Sequence, residues 1–214
     1  MTSPVRVSRP MTVAGAAVLL LALGLVALML AGPSSSADPA ASSAAPSDTS
    51  VDVGFARDMS IHHQQAVEMS FIVRDRTTDV EVRRLAYDII NTQANQRGMM
   101  LGWLEMWGRP KSSGAPPMAW MGHSFTPRGD GSLMPGMATD TELDALRKAK
   151  GRAAEVMYLK LMTTHHRAGA EMARAAADAA GTEEIGNLAA GMVRGQQSEI
   201  GLMADMLTAR GSGA

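Results

Sequence analysis

The stretch Asp58–Ser70, DMSIHHQQAVEMS, places two adjacent histidines between two methionines. LMTTHHRAGAEMA at 161–173 repeats the arrangement, so two doublets hold four of the five histidines in a chain of 214 residues. Aligning His62 with His165 and His63 with His166 fixes an offset of 103 residues. Held without a gap, that offset pairs Phe55 with Tyr158, Met59 with Met162, Glu68 with Glu171 and Met69 with Met172. Further on it pairs Leu85 with Leu188, Ala86 with Ala189, Gln93 with Gln196, Met100 with Met203 and Leu104 with Leu207. Chance rarely keeps one register across two elements, and the pattern reads as an internal duplication with units 55–107 and 158–210.

Each unit reads as a helical hairpin. Phe55, Met59, Ile61, Ala66, Met69 and Ile72 recur near helical spacing, and neither unit contains proline. Polar breaks follow, DRTTD at 75–79 and AAGTE at 179–183, with Gly181 placed to stop a helix. Second helices are expected from about Val80 to Met106 and from about Glu184 to Ala209. Two hairpins joined by a long connection predict an all-α four-helix bundle over 52–210, whose core is a usual place for metal sites. The connection, 108–140, is rich in Gly and Pro and carries Met118, Met121, His123, Met134 and Met137. A loop of that length without structure is usually functional or disordered. At its end TDTELDALRKAKG reads as a short helix, with Thr139 and Glu142 spaced as a capping box.

Before the bundle, residues 11–31 are uncharged and dominated by Leu, Ala and Val, enough to span a hydrocarbon core of about 30 Å. Arg6 and Arg9 precede them and no Lys or Arg follows until Arg57, so residues 1–10 are expected in the cytoplasm and the rest outside it. The preferred reading is an uncleaved single-pass transmembrane anchor. The alternative is a signal peptide cleaved near SSA at 35–37, giving a secreted protein, although signal cores are usually shorter. Residues 32–51, rich in Ser, Ala and Pro, read as a disordered tether.

Composition narrows the classes further. A net charge of −1 without a clustered basic face argues against nucleic acid as a partner. With no cysteine, disulfides, thiolate metal sites and cysteine nucleophiles are excluded. Aromatics are 4% of the chain while methionines number 18, which favours helices and draws attention to thioethers.

On a helical wheel at about 100° per residue, with Met59 at zero, His63 falls near 40°, His62 near 300° and Met69 near 280°. Met59, His62, His63 and Met69 thus share one broad face, and Met162, His165, His166 and Met172 share its equivalent. Gln93 with Gln96, and Gln196 with Glu199, add polar groups on the second helices that can hold the imidazoles in one tautomer. Imidazole suits copper, zinc, iron and nickel, and thioether suits Cu(I). Neither doublet has a Glu three residues before a histidine, which disfavours carboxylate di-iron chemistry, and the helical zinc-protease motif is absent. A catalytic role is left open, with no catalytic residue assigned and the non-catalytic reading preferred.

Plainer readings compete. A buried histidine is more often a hydrogen-bonded core residue than a ligand. Methionine at helical spacing is more often core filling, the reading adopted for Met100, Met106, Met157, Met192, Met203 and Met206. Glu68 and Glu171 read as solvated or salt-bridged. In the connection, Met118, Met121, His123, Met134 and Met137 have little core to fill, so they read as a weaker metal-capture segment, with disorder and no role as the rival. Imidazoles must be deprotonated to bind metal, so affinity at the doublets is expected to fall as pH drops through roughly 6.5. The function expected is metal binding, with copper as the ion, for buffering, storage or resistance outside the cytoplasm. The alternative is a non-catalytic structural or assembly module of the cell envelope, with the doublets as a buried polar network.

The stretches DMSIHHQQAVEM at 58–69, LMTTHHRAGAEM at 161–172 and LMPGMATDTELDALRKAKG at 133–151 resemble the bacterial family catalogued as domain of unknown function 305. The resemblance covers about residues 52–210. It implies a ferritin-like helical bundle in exported or anchored proteins, some of them linked to copper binding, and brings no agreed activity. The family's repeated features fall on Met59, His62, His63, Glu68 and Met69, and on Met162, His165, His166, Glu171 and Met172. The second copy departs at Arg167 and Ala168, where the first has Gln64 and Gln65, which puts the equivalence of the two half-sites in question.

Overall fold

The computed structural model describes residues 44–122 and 125–213. Five α-helices follow one another: α1 Val51–Arg74, α2 Val80–Met106, α3 Asp140–Lys148, α4 Arg152–Ala179 and α5 Glu183–Ala209. A short 3-10 turn, Ala119–Met121, lies between α2 and α3. The described residues contain no strand.

Local chemistry sets the helix ends. The Ser50 side chain accepts the Val53 N–H at the start of α1, and Asp79 accepts those of Glu81 and Val82 at the start of α2. Thr139 and Glu142 form the reciprocal capping box expected of them. The start of α5 is capped from another helix: Asp52 of α1 accepts the Gly181 N–H at 3.1 Å and the Thr182 N–H and hydroxyl at 2.9 and 2.7 Å. That bond set ties one hairpin to the other at one end of the bundle. At the opposite end Arg210 bridges Glu155 of α4, at 2.8 Å, and Asp79, at 2.9 Å.

α1 packs along α2, α4 along α5, and the main contact between the hairpins is α1 against α4. Apolar burial falls into two clusters. One joins Phe55, Met59, Met100 and Leu104 to Met172, Ala176, Ile185 and Met192. The other joins Met69, Val73, Leu85 and Ile89 to Tyr158, Leu159, Met162, Met203 and Leu207, with Leu143 and Leu146 from α3. Met59 therefore meets the level of Met172, and Met69 that of Met162, so α1 and α4 run antiparallel where they touch. Residues related by the offset of 103 face each other across the middle.

Three expectations are corrected. The connection is not a structureless loop: Met118 and Met134 are 6% and 1% exposed and complete the first cluster, so they do have a core to fill. Met106 is not core filling; at 77% exposure it points outward, about 200° around α2 from buried Leu104. The end of the expected tether is bonded to the bundle: Arg109 donates to the Pro46 carbonyl at 2.7 Å and Arg57 pairs with Asp48 at 2.6 Å, while most of 32–51 lies outside the described residues. The expected membrane span at 11–31 and His123 lie outside the described residues. Among the described residues no helix is long and apolar enough to cross a membrane.

Candidate metal centre

The four doublet histidines meet at the α1–α4 crossing, none of them more than 1% exposed. The rings of His62 and His165 lie 3.7 Å apart between centroids, tilted by 32°. His165 and His166 are 6.2 Å apart. Close approach at this level depends on Gly169 of α4, where a Cβ would stand 2.6 Å from Gln196 Oε1 and 3.1 Å from His62 Cε1. Ala66 holds the equivalent place in the first copy.

Hydrogen bonds orient three of the four rings. His63 Nε2 donates to Gln96 Oε1 at 2.8 Å, and His166 Nε2 donates to Glu199 Oε2 at 2.7 Å. Each pair is 33 residues apart, and the second is the first moved by the duplication offset. His165 Nε2 donates to the His62 carbonyl at 3.1 Å, with no equivalent bond from His62. A neutral imidazole that donates through Nε2 keeps a lone pair on Nδ1. Nδ1 of His63 and of His166, and both nitrogens of His62, are buried without a partner. Gln93 and Gln196, expected to hold imidazoles as Gln96 and Glu199 do, are buried with their Oε1 atoms unpartnered.

Burial holds the rings of His62, His63 and His165 uncharged. It lowers His62 to about 3, helped by repulsion from His63 and His166, although the nearby Pro135 carbonyl opposes this without reaching hydrogen-bond geometry. Burial lowers His63 to about 4 against the opposing Gln96 bond. His165 is held well below the usual histidine range by burial and by its three neighbours. Titration near 6.5 is therefore not what governs His62, His63 and His165, which stay neutral far below that pH.

Thioethers flank the rings on both sides: Met59 and Met172 in one cluster, Met69 and Met162 in the other. In the connection Met118 and Met134 are buried in the first cluster, while Met121 and Met137 are half-buried against it. Glu68 is salt-bridged to Arg147, and Glu171 is exposed. Among the described residues no three His, Asp or Glu side chains group closely enough to hold an ion by themselves.

Sequence reasoning missed the residues that fasten the connection over this centre. Asp58 accepts the Met118 N–H at 2.7 Å and the Trp120 indole N–H at 2.9 Å; burial raises its carboxyl above the usual range against those two bonds. Gly54 lets the Trp120 ring lie against α1, since a Cβ there would sit 2.5 Å from it. Gln65 donates to the Ala138 carbonyl at 2.8 Å and accepts the Ala138 N–H at 2.7 Å. The mismatch of Gln65 with Ala168 at the duplication offset was the available signal.

Comparison with known proteins places this chain. It belongs to the family described as domain of unknown function 305, whose model matches residues 52–207. It is 57% identical to a protein of that family from Streptomyces coelicolor, assigned as secreted, with 78% of this chain and 98% of that chain covered at a TM-score of 0.73. A fragment of a family member from Deinococcus radiodurans is 30% identical, covering 74% and 95% at 0.62. CopM in its Cu(II)-bound form is 26% identical, covering 74% and 96% at 0.59. Its Cu(I)-bound form, 24% identical at 0.57, speaks for the fold alone. No curated protein matches the chain.

Proposed function

We propose that this member of the domain of unknown function 305 family binds copper as cargo outside the cytoplasm, for buffering, storage or resistance. The donors are the imidazoles of His62, His63, His165 and His166 with the thioethers of Met59, Met69, Met162 and Met172. The observation that carries the reading is the set of buried imidazoles with unpartnered nitrogens, those of His62 and His63 held uncharged, flanked on both sides by apolar clusters that contain methionine. Isolated buried lone pairs are costly, and a soft cation is the partner that matches both donor types. The likeness to CopM in its Cu(II)-bound form supports it. Location follows the relative assigned as secreted, with residues 11–31 as the anchor that keeps this chain at the membrane.

A second reading, a buried polar network without a metal, draws on the bonds to Gln96, Glu199 and the His62 carbonyl, which already orient three rings. Equilibrium dialysis of the full chain against Cu(I) and Cu(II), followed by metal analysis, separates the two. Copper retained by the wild type and lost on replacing all four doublet histidines with alanine supports the cargo reading. Equal retention by both proteins, or none by either, ends it.

A further inference from the structure

The segment 130–140 forms a loop closed at its base, where the Asp140 N–H donates to the Asp130 carbonyl at 2.7 Å. The Ser132 hydroxyl braces it internally by donating to the Met137 carbonyl at 3.2 Å. Gly131 and Gly136 take positive φ of 86° and 77°, conformations that favour glycine. Compact surface loops with close ends are frequently functional. The tip of this one lies over the stacked histidines. A Cβ on Gly136 would be 2.5 Å from Ala168 Cβ, 2.9 Å from the Thr164 carbonyl and 3.5 Å from His165 Cα, while Pro135 approaches His62. Met134 plugs the first apolar cluster, and the two bonds from Gln65 to Ala138 hold the other side. Beside the loop a surface cavity of about 440 Å³ is lined by Gln64, Gln65, Gly131, Leu133 and Met137.

We propose that residues 131–138 are a liftable cover over the His62–His165 pair, latched by Gln65, and that cargo reaches the imidazoles from the Gln65 cavity when the latch opens. This rests on the copper reading for the identity of the cargo. The geometry favours this route because α1 and α4 are clamped by a large apolar cluster on each side of the histidines, whereas the cover is held by buried Met134 and Ala138, half-buried Met137 and the Gln65 amide. Opening the cover is therefore the smaller disruption.

Histidine labelling by diethyl pyrocarbonate on the metal-free full chain, mapped by peptide mass spectrometry, reads access without copper. Gln65→Ala removes the latch, and Gly136→Ala pushes the tip off α4; both are checked for native helicity. Each is expected to label His62 and His165 about tenfold faster: Gln65→Ala through the loss of one or two net hydrogen bonds, Gly136→Ala through the clash of its Cβ with α4 at a positive φ. Cu(I) loading should quicken in parallel with unchanged stoichiometry. Unchanged labelling in both folded variants overturns the cover, as does equal acceleration at His63 and His166, which marks general loosening. Faster labelling at His62 and His165 in the variants of a chain whose wild type retains no copper upholds the cover and removes the copper reading alone.

Discussion

At the duplication offset, Gly54, Asp58 and Gln65 on α1 correspond to Met157, Leu161 and Ala168 on α4. On α1 this face receives the connection: Trp120 on Gly54, Met118 and Trp120 on Asp58, Ala138 on Gln65. On α4, Met157 and Leu161 form an apolar groove beside Ala145 of α3, and Ala168 leaves room for Gly136. The two copies agree where they meet at the middle and differ where a single connection must be received. One segment cannot dock on two symmetric faces at once, so polar fastenings on one helix are matched by small or apolar residues on the other. The half-sites differ in the same way at their outer bonds, Gln96 against Glu199.

The largest test treats both halves together. The pKa values of His62, His63 and His165 lie below the unfolded value near 6.5, so the unfolded chain binds the additional protons. Stability is complete above pH 6.5 and is withdrawn as pH falls toward 4 and then 3, at about 1.4 kcal/mol per pH unit for each histidine. Against a total of about 5–15 kcal/mol, unfolding is expected near pH 5 by circular dichroism. In the double variant His62→Gln/His165→Gln only His63 still withdraws stability, at most about 3.5 kcal/mol by pH 4, so the acid midpoint should fall by at least about two units. An unchanged acid midpoint would show that the centre is not what acid attacks.

Next comes the docking face. Asp58→Ala leaves the Met118 and Trp120 donors without an acceptor and should cost about 3 kcal/mol in urea unfolding. Leu161→Ala, its counterpart on α4, should cost about 1 kcal/mol, because it trims a half-buried apolar chain. Equal losses would erase the distinction between the faces.

The outer bonds are subtler. Glu199→Ala should cost about 2 kcal/mol and Gln96→Ala about 1 kcal/mol, because a carboxylate acceptor makes the stronger hydrogen bond. Smallest of all, Glu199→Gln makes the second half-site resemble the first and should shift stability by less than about 1 kcal/mol. A larger loss there would mean that the charge itself, rather than an acceptor oxygen, holds His166.

Much of the scaffold was legible in the sequence, because its signals are local or periodic. The break at 75–79, the bounds of α2 and the box at Thr139 each follow from residues a few positions apart. The meeting of the doublets was legible too, since a duplication places equivalent faces opposite one another. The docking of the connection was not: Gln65 and Ala138 are 73 residues apart and their bond leaves no period. Met118 and Met134 sit in Gly/Pro-rich surroundings that look the same whether packed or loose. Met106 lies about 240° around α2 from Met100, on the solvent side, so its thioether had no core to enter. The depressed histidine pKa values come from complete burial, a property of four helices together.

The placement of Met118 and Ala138 on α1 has one more consequence. Residues 111–116 are exposed, and both docking points lie after them in the chain. A chain cut there would divide into one piece with α1 and α2 and another with α4, α5 and an arm that still grips α1. The Asp52 bonds to Gly181 and Thr182 join the same two pieces at the end of the bundle. Expressed separately, the pieces are suited to fragment complementation, with the arm supplying by contact what the peptide bond had supplied by covalent continuity.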